Sequence, residues 1–263
     1  MDALKPHATG SFCWVELGTT DAAAAKQFYG DLMGWQAEDV PMPEGVYSMM
    51  LLDGKPAAAM YQLTPEMREQ GVPPHWMLYI AVEDADAMAE KIKENGGEVK
   101  MAPFDVMEHG RMAVCSDPQG AVFSIWQAKE HVGIMADPGP GTLGWSELAT
   151  TDAEAAKTFY SNVFGYGLKT SPIGGIEYTE LQIDGRSVGG LMEMTEEWKG
   201  VPPHWMPYFV VTGADATVQA ASSKGADIKV PATDIPGVGR FSLIQDPQGA
   251  MFSIIQLSAG VAA

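Results

Sequence analysis

Two long stretches of this chain repeat one another, and this repetition constrains the fold more than any other feature. Residues 14–34 and 145–165 are identical at 13 of 21 positions, each pair lying 131 residues apart. Two further motifs also recur, namely Val72-Pro-Pro-His-Trp76 as Val201-Pro-Pro-His-Trp205, and Asp117-Pro-Gln-Gly-Ala121 as Asp246-Pro-Gln-Gly-Ala250. A sequence that repeats along its length is built from copies of one structural unit. We therefore predict two copies of one domain, with any site made of repeated residues present twice.

The size and composition of the chain are compatible with two globular domains. About 130 residues per copy is an ordinary size for one compact domain. We predict a first domain over residues 1–130, a linker rich in glycine, proline and aspartate over 131–140, and a second domain over 141–263. A hydrophobic fraction of 46% is sufficient for a core. The net charge of −18 would repel phosphates and anionic lipids, so neither nucleic acid nor a membrane is expected as a partner.

The location of the protein is predicted from its apolar runs and its cysteines. The chain has no apolar run near the roughly 18 residues that a membrane helix needs, and residues 1–6 lack the apolar run of a secretion signal. Cys13 and Cys115 both lie in apolar, strand-like stretches of the first copy, which predicts buried free thiols. We expect a cytoplasmic protein, either a monomer with internal pseudo-two-fold symmetry or a homodimer.

Each copy divides again into two similar halves. Asp21 is a predicted helix N-cap, an apolar stripe follows it, and Gly34 ends the helix. In the second copy Thr151-x-x-Glu154 has the pattern of a capping box. The remaining runs predict strands at 35–39, 47–52, 56–62, 76–82, 98–102, 111–116 and 121–127, with a helix at 84–95. The order strand, helix, three strands thus occurs four times, which predicts an α+β fold of four βαβββ modules.

These motifs resemble a known superfamily. Each copy has a strand, a capping Asp, a helix with Phe-Tyr and a Gly-aromatic pair, and it closes with an Asp-Pro-x-Gly turn before an aliphatic strand. This pattern resembles that of the vicinal oxygen chelate superfamily. That group includes glyoxalase I, bleomycin-resistance proteins, fosfomycin-resistance enzymes and extradiol dioxygenases. The resemblance covers residues 10–130 and 141–258. Within the superfamily, the chain most resembles the tandem-domain, glyoxalase-like proteins. It implies two domains with cup-shaped mixed sheets, but one fold serves many chemistries.

The resemblance also implies positions for a divalent metal ion, held in active members by His, Gln or Glu. The matching positions here are Trp14, Met77, Ser124 and about Ala58 in the first copy, and Trp145, Met206, Ser253 and Gly189 in the second. Indole does not ligate metal, and thioether and neutral hydroxyl groups are poor donors for such ions. We therefore predict that the usual metal site is absent and that no cofactor is needed. A displaced ion held by Glu16, His75 and a third donor is the open alternative.

Repeated polar residues supply candidates for acid–base chemistry. The predicted strands place a carboxylate among apolar residues, where it needs a partner, and a histidine enters a later strand of each copy. Each histidine could transfer protons or bind a ligand, or it could instead fix the loop before its strand. The candidate catalytic residues are Glu16, His75, Glu147 and His204.

Aromatic, methionine, serine and arginine side chains supply candidates for ligand contact. Arg111 and Arg240 could clamp a ligand oxygen, although strand-entry arginines more often form structural salt bridges. Large rings beside small residues suit a pocket for a flat ligand, and the alternative is that the rings fill a solid core. The candidate ligand-binding residues are Trp14, Tyr47, Met77, Tyr79, Arg111, Ser124, Trp126, Trp145, Tyr178, Met206, Tyr208, Arg240 and Ser253.

Together these features favour a metal-independent member of the superfamily that binds a small aromatic or apolar molecule in paired cavities. The alternative is an enzyme of lyase, isomerase or oxygenase/hydroxylase type, which would use Glu and His for proton transfer without metal or with a displaced ion. A third class, in which the fold serves only to bind other macromolecules, predicts filled cores and an exposed apolar patch.

Overall fold

A computed structural model describes residues 5–42 and 45–261 of the chain. Most of the N-terminal segment on which the expected absence of a secretion signal rests lies outside these residues, as do residues 43–44. Within the described ranges no helix is long and apolar enough to cross a membrane.

The first copy forms eight strands and three short helices. Its elements are β1 (Phe12–Thr19), α1 (Ala22–Met33), β2 (Gln36–Met42), β3 (Gly45–Leu52), β4 (Lys55–Gln62), α2 (Pro65–Glu69), β5 (His75–Ala81), α3 (Ala85–Glu94), β6 (Glu98–Val106), β7 (Gly110–Ser116) and β8 (Val122–Ala128).

The second copy repeats this order, with a 3-10 helix in place of α2. Its elements are β9 (Leu143–Thr150), α4 (Ala153–Phe164), β10 (Gly167–Ile173), β11 (Ile176–Ile183), β12 (Arg186–Glu193), a 3-10 helix (Glu196–Trp198), β13 (His204–Val210), α5 (Ala214–Ser223), β14 (Asp227–Ile235), β15 (Gly239–Gln245) and β16 (Met251–Leu257). The predicted series of four βαβββ modules is confirmed.

Each copy contributes one curled, mixed sheet of eight strands. The strand orders are β2-β3-β4-β1-β5-β8-β7-β6 and β10-β11-β12-β9-β13-β16-β15-β14. Within every module the last strand returns beside the first and runs parallel to it, while the other neighbours are antiparallel hairpins. The predicted α+β class with mixed sheets is therefore confirmed.

Local capping explains where the helices begin and end. The Asp21 carboxylate accepts a hydrogen bond from the Ala24 amide at 3.0 Å, and Gly34 ends α1 in the left-handed conformation with φ +77°. In α4 the cap is Asp152, which accepts from the Ala155 amide at 2.9 Å. The capping-box interpretation of Thr151 is therefore wrong by one residue.

Helix α2 was not predicted from the sequence. It begins after Thr64, whose hydroxyl accepts from the Met67 amide at 3.3 Å, with Pro65 in the first turn. Thr before Pro is a recognisable helix start, and this signal could have identified the helix.

Contacts within the chain group into two compact units that do not follow the two copies. The first, here called the middle unit, comprises residues up to 14, 78–133 and 146–205. The second, here called the terminal unit, comprises residues 15–77, 134–145 and those from 206 onward. Each unit therefore combines one module of the first copy with one of the second. The units are described separately.

The predicted linker at 131–140 contains no helix or strand, but it is packed against the rest of the chain. In the terminal unit the amides of Met135 and Ala136 both donate to the carbonyl of Pro56, at 2.8 and 3.1 Å. In the middle unit Val132 is buried. The segment is thus held by specific contacts rather than only connecting the copies.

The repeated motifs meet in buried hydrogen-bond chains. In the terminal unit the Trp76 indole donates to the Tyr29 hydroxyl at 3.1 Å, and Tyr29 donates to Asp246 at 2.9 Å. In the middle unit Trp205 donates to Tyr160 at 2.9 Å, and Tyr160 donates to Asp117 at 3.1 Å. The Phe-Tyr, Pro-Pro-His-Trp and Asp-Pro-Gln-Gly motifs therefore recur for a structural reason, because each supplies one member of a chain that joins modules of different copies.

Candidate functional site

A carboxylate and two phenols form a cluster in the terminal unit. Tyr47 on β3 lies opposite Tyr61 on β4, and Glu16 on β1 lies opposite Ala59 on β4. Because residues 59 and 61 are two apart on one strand, the side chains of Glu16, Tyr47 and Tyr61 share one face of the sheet. The Tyr47 hydroxyl donates to Glu16 Oε2 at 2.8 Å. Burial, and secondly the charge of Glu16, raise the pKa of Tyr61. Glu16 therefore has the partner that its apolar strand requires.

The equivalent pair in the middle unit is built differently. The Tyr178 hydroxyl donates to Glu147 Oε2 at 2.9 Å. The Tyr178 ring reaches the carboxylate by crossing Gly190, where an added Cβ would lie 2.3 Å from its hydroxyl oxygen. In the first copy it is Tyr61 that crosses a glycine, Gly18, where an added Cβ would lie 2.8 Å from the phenol oxygen. Both copies thus hold a carboxylate against a phenol, but only the first adds a second phenol.

The two histidines at the strand entrances make local backbone contacts. His75 Nδ1 lies 2.8 Å from the carbonyl oxygen of Pro73, and His204 Nδ1 lies 2.9 Å from that of Pro202. A carbonyl only accepts, so Nδ1 carries the proton in each ring. These contacts match the structural alternative weighed from the sequence, in which the ring fixes the loop before the strand. A catalytic role for either histidine stays a prediction.

An aromatic face lies on the side of the middle unit's sheet that points away from α3. Tyr79 pairs with Ser124 in the β5–β8 register, and its ring lies 6.2 Å from that of Trp126, edge to face. The Tyr79 hydroxyl is 3.9 Å from the Met112 sulfur. Ser124 is wholly buried, and its hydroxyl has no hydrogen-bond partner among the described residues.

His131 completes this aromatic face, and its place in the predicted linker gave no sign of such a role. Its ring lies 4.5 Å from the Trp14 ring and 5.9 Å from that of Trp126, edge-on to both. The Trp126 indole donates to the His131 carbonyl at 2.8 Å. Burial, with smaller effects of His109 and His7, lowers the pKa of His131 from 6.5 to about 4. The imidazole is therefore neutral at pH 7.

The matching face of the second copy lies in the terminal unit and is a packed apolar cluster. Met206, Tyr208, Val210 and Ile255 are buried together. Partly buried hydrophobic residues cover them, namely Trp145, Val238, Phe241, Leu243, Met251 and Leu257. Ser253 lies opposite Tyr208 in the ladder, and its buried hydroxyl also has no partner in the described ranges.

Both candidate arginines lie on the opposite, helix-covered face. Arg111 lies opposite Gln127, whose amide oxygen accepts from the first amide of α3, and its guanidinium binds Asp86 on α3 at 2.7 and 2.9 Å. Arg240 binds Asp215 on α5 at 2.9 Å, which lowers the pKa of that carboxyl. Ion pairing and the alternation of the strands direct both side chains away from the aromatic faces. A ligand-binding role for either arginine stays a prediction.

The two thiols are also structural. Cys13 and Cys115 are free and buried, as predicted, and burial raises the pKa of each to about 12. A thiol that remains protonated at neutral pH is a poor nucleophile.

Comparison with known proteins identifies the family. The model of the Glyoxalase/Bleomycin resistance protein/Dioxygenase superfamily matches residues 11–125 and 142–254. The chain belongs to this superfamily.

Relatives within the superfamily cover nearly the whole chain. It is 44% identical over 259 residues to "Putative glyoxylase CFP32" of Mycobacterium tuberculosis (strain CDC 1551 / Oshkosh), covering 97% of this chain and 98% of the relative. It is 37% identical over 264 residues to "Anthracycline biosynthesis protein DnrV" of Streptomyces peucetius, covering 96% and 95%.

Solved structures share the fold at low identity. The 2,3-dioxygenase LapB from Pseudomonas sp. KL28 has a TM-score of 0.64 at 14% identity, with 98% of this chain and 95% of that chain covered. The Mn(II)-bound glyoxalase from Novosphingobium aromaticivorans has a TM-score of 0.62 at 16% identity, with 97% and 92% covered.

The superfamily's divalent ion does not fit the side chains at its usual positions. The only side-chain oxygens at the matched positions belong to Ser124 and Ser253, which are wholly buried hydroxyls. Among the residues that the structure describes, no three His, Cys, Asp or Glu side chains come together in a way that could hold a metal. Hard and borderline divalent ions require such donors. We therefore assign no step of any reaction to a metal.

Proposed function

We propose that this superfamily member binds a small, flat aromatic molecule without a metal ion, in one cavity for each copy. The observation that supports the proposal is that, in both copies, indole, thioether and hydroxyl groups occupy the positions that the resemblance matches to metal ligands. Flat ligands gain affinity from ring contacts and from a few well-placed polar groups. Within the middle unit, the aromatic face of Tyr79, Trp126 and Trp14 offers the ring contacts, and the buried hydroxyl of Ser124 offers a polar group.

The relatives support the choice of ligand class. One of them is named for anthracycline biosynthesis. A polycyclic aromatic molecule is therefore a sensible first probe. The net charge of −18 gives no support for nucleic acid or an anionic membrane as the alternative partner.

The test is a titration of tryptophan fluorescence with 1,8-dihydroxyanthraquinone, with and without EDTA, alongside elemental analysis of the protein as purified. We expect saturable quenching that EDTA leaves unchanged, and less than stoichiometric zinc, nickel, manganese or iron. Absence of saturable binding by this probe and by chemically different aromatic compounds would contradict the proposal. Stoichiometric metal that is required for binding would contradict its metal-independent part.

A second candidate is an acid–base enzyme, and the cluster around Glu16 is the observation that favours it. A carboxylate bound by Tyr47 and close to Tyr61 can accept a proton from a bound molecule, with a phenol as the partner of the developing charge. Such an enzyme would convert its bound aromatic molecule. Glu16→Gln would then abolish product formation while retaining binding, as seen by chromatography of the incubated ligand. If wild-type protein returns the bound molecule unchanged, this candidate is excluded for that compound.

A further inference from the structure

We propose that His131 forms a hydrogen bond with a hydroxyl group on the bound aromatic molecule. The two copies then differ in affinity, and the site at Trp14, Trp126 and His131 binds more tightly. This inference rests on the proposed function. It goes beyond it by assigning the polar anchor, the chemistry that the anchor selects and the number of ligands per chain.

The ring of His131 is held by the two indoles that define the aromatic face. The ring centroids of Trp14 and His131 lie 4.5 Å apart with an interplanar angle of 88°. Those of Trp126 and His131 lie 5.9 Å apart with an angle of 70°. The Trp126 indole also fixes the backbone of His131 at 2.8 Å. Trp126 itself lies over Gly110, where an added Cβ would approach its ring to 2.3 Å. The imidazole is therefore positioned by packing, as a binding group needs to be.

Two polar atoms in this part of the middle unit lack hydrogen-bond partners. His131 Nε2 is buried with no partner in the described ranges, and the same holds for Ser124 Oγ, whose residue is wholly buried on the same strand face as Trp126. Buried polar groups are nearly always paired, and leaving one unpaired is unfavourable. A ligand that pairs either atom recovers this cost on binding.

The chemistry of the two atoms selects a hydroxyl group. An imidazole nitrogen donates or accepts according to its tautomer, and a serine hydroxyl does both. A phenolic hydroxyl can complement either arrangement. Because burial keeps His131 neutral at pH 7, the ring offers no positive charge to a carboxylate or phosphate. The site therefore favours an uncharged hydroxyaromatic molecule over an anionic one.

The second copy has no equivalent anchor. The position 129 residues after His131 is Gly260, and Trp126 is matched by Ile255. Ile255 is buried in the apolar cluster with Met206, Tyr208 and Val210. Among the described residues, the second copy repeats the unpaired buried hydroxyl of Ser124 at Ser253, but it lacks the imidazole and the indole, so the tighter site belongs to the first copy.

The experiment is isothermal titration calorimetry of the full chain with 1,8-dihydroxyanthraquinone and with unsubstituted anthraquinone. For wild type we expect one tightly bound dihydroxyanthraquinone per chain. His131→Phe keeps a ring between the indoles but loses the nitrogen, and should weaken dihydroxyanthraquinone roughly tenfold or more while changing anthraquinone little. His131→Asn should restore part of the loss. His109→Phe removes a neighbouring exposed imidazole and should change neither affinity.

The outcomes separate this inference from the proposed function. If wild type binds both compounds and His131→Phe binds them equally well, the anchor is excluded and the proposed function survives. Two equivalent bound molecules per chain would likewise overturn the inequality of the copies. If wild type binds no aromatic compound, the proposed function itself fails. Should His131→Phe fold poorly, the imidazole nitrogen-15 signals of wild type decide: they should shift with dihydroxyanthraquinone and not with anthraquinone.

Discussion

Small residues at single positions decide how each carboxylate is satisfied. Tyr178 passes over Gly190 to reach Glu147, whereas its counterpart Tyr47 reaches Glu16 with Ala59 at the matched position. There, Tyr61 crosses Gly18, whose counterpart is Ala149. The two copies thus exchange the position of the glycine together with the phenol that crosses it. A carboxylate on an apolar strand keeps a phenolic donor in both cases.

Gly190→Ala tests this arrangement. The new methyl group would lie 2.3–2.6 Å from the Tyr178 phenol, so the ring must move from its present position against Glu147. Overpacking of this kind costs about 1–3 kcal/mol of unfolding free energy, measurable by urea denaturation. Gly167→Ala is the control, because its added Cβ meets only ordinary contacts at 3.7 Å. Equal stability of the two variants would contradict the crossing of Tyr178 over Gly190.

His131 should make stability depend on pH. Its folded-state pKa is lowered from 6.5 to about 4, so between these values the unfolded chain binds a proton that the folded chain does not. The contribution of the neutral His131 to the free energy of unfolding is therefore complete above about pH 6.5 and is lost as the pH falls towards 4. At about 1.4 kcal/mol for each pH unit, the loss reaches at most about 3.5 kcal/mol.

The measurement is the unfolding free energy of wild type and His131→Phe at several pH values between 4 and 7.5. The difference between the two proteins should shrink or reverse on acidification, since the variant has no imidazole at this position to protonate. Parallel curves would contradict the buried, neutral state of His131. His109→Phe controls for the neighbouring imidazole, which also acts on the pKa of His131.

At the scale of single elements, side-chain caps fix the helix boundaries. Asp21, Asp84 and Asp152 each accept from the amide three residues later. Gly34 and Gly165 end α1 and α4 with φ near +77°. The same cap residues at both ends explain why these two helices have the same length in the two copies.

Asp152→Ala and Thr151→Ala distinguish the true cap of α4 from the capping-box interpretation. Loss of the Asp152 carboxylate leaves the Ala155 amide without its acceptor and should cost about 1 kcal/mol of unfolding free energy. Thr151 is exposed and should cost less than about 0.5 kcal/mol, as surface substitutions usually do. Both values come from chemical denaturation. A larger cost at Thr151 would restore the capping box.

At the scale of the whole chain, the two hydrogen-bond chains of Trp, Tyr and Asp join modules that are far apart in sequence. Tyr29 and Asp246 belong to the first and fourth modules, and Tyr160 and Asp117 to the third and second. Burial raises the pKa of both aspartates, while the phenol and the backbone amides act in the opposite direction. Each tyrosine therefore compensates part of the cost of burying a carboxylate.

Tyr29→Phe and Tyr160→Phe should each destabilise the protein by about 2–3 kcal/mol, because each leaves an indole without its acceptor and a buried carboxylate without its phenol. Because the two hydrogen-bond chains share no residue, the double variant should lose about the sum of the two single losses in unfolding free energy. Urea unfolding of the single and double variants provides the measurement. Costs below about 0.5 kcal/mol at both positions would contradict a structural role for the repeated motifs.

The sequence by itself determined the two copies, the four βαβββ modules and the superfamily, since these depend on local periodicity, capping residues and repeated motifs. It also identified Glu16 and Glu147 as carboxylates that need partners, because their strands are apolar. Partner identity was beyond its reach: Tyr61 was missed, and His131 was assigned to a linker. Tyr61 lies on a different strand from Glu16, and His131 lies 117 residues after Trp14.

Only the tertiary structure decided which residues share a surface. Strand register placed Arg111 and Arg240 on the helix-covered face, and packing brought His131 between Trp14 and Trp126. It also joined each half of one copy to a half of the other in the two compact units. The physical reason is that helices and turns follow from contacts a few residues apart. Which face a side chain takes, and which module it meets, depends instead on pairing between separate segments, some of them as far apart as Tyr29 and Asp246.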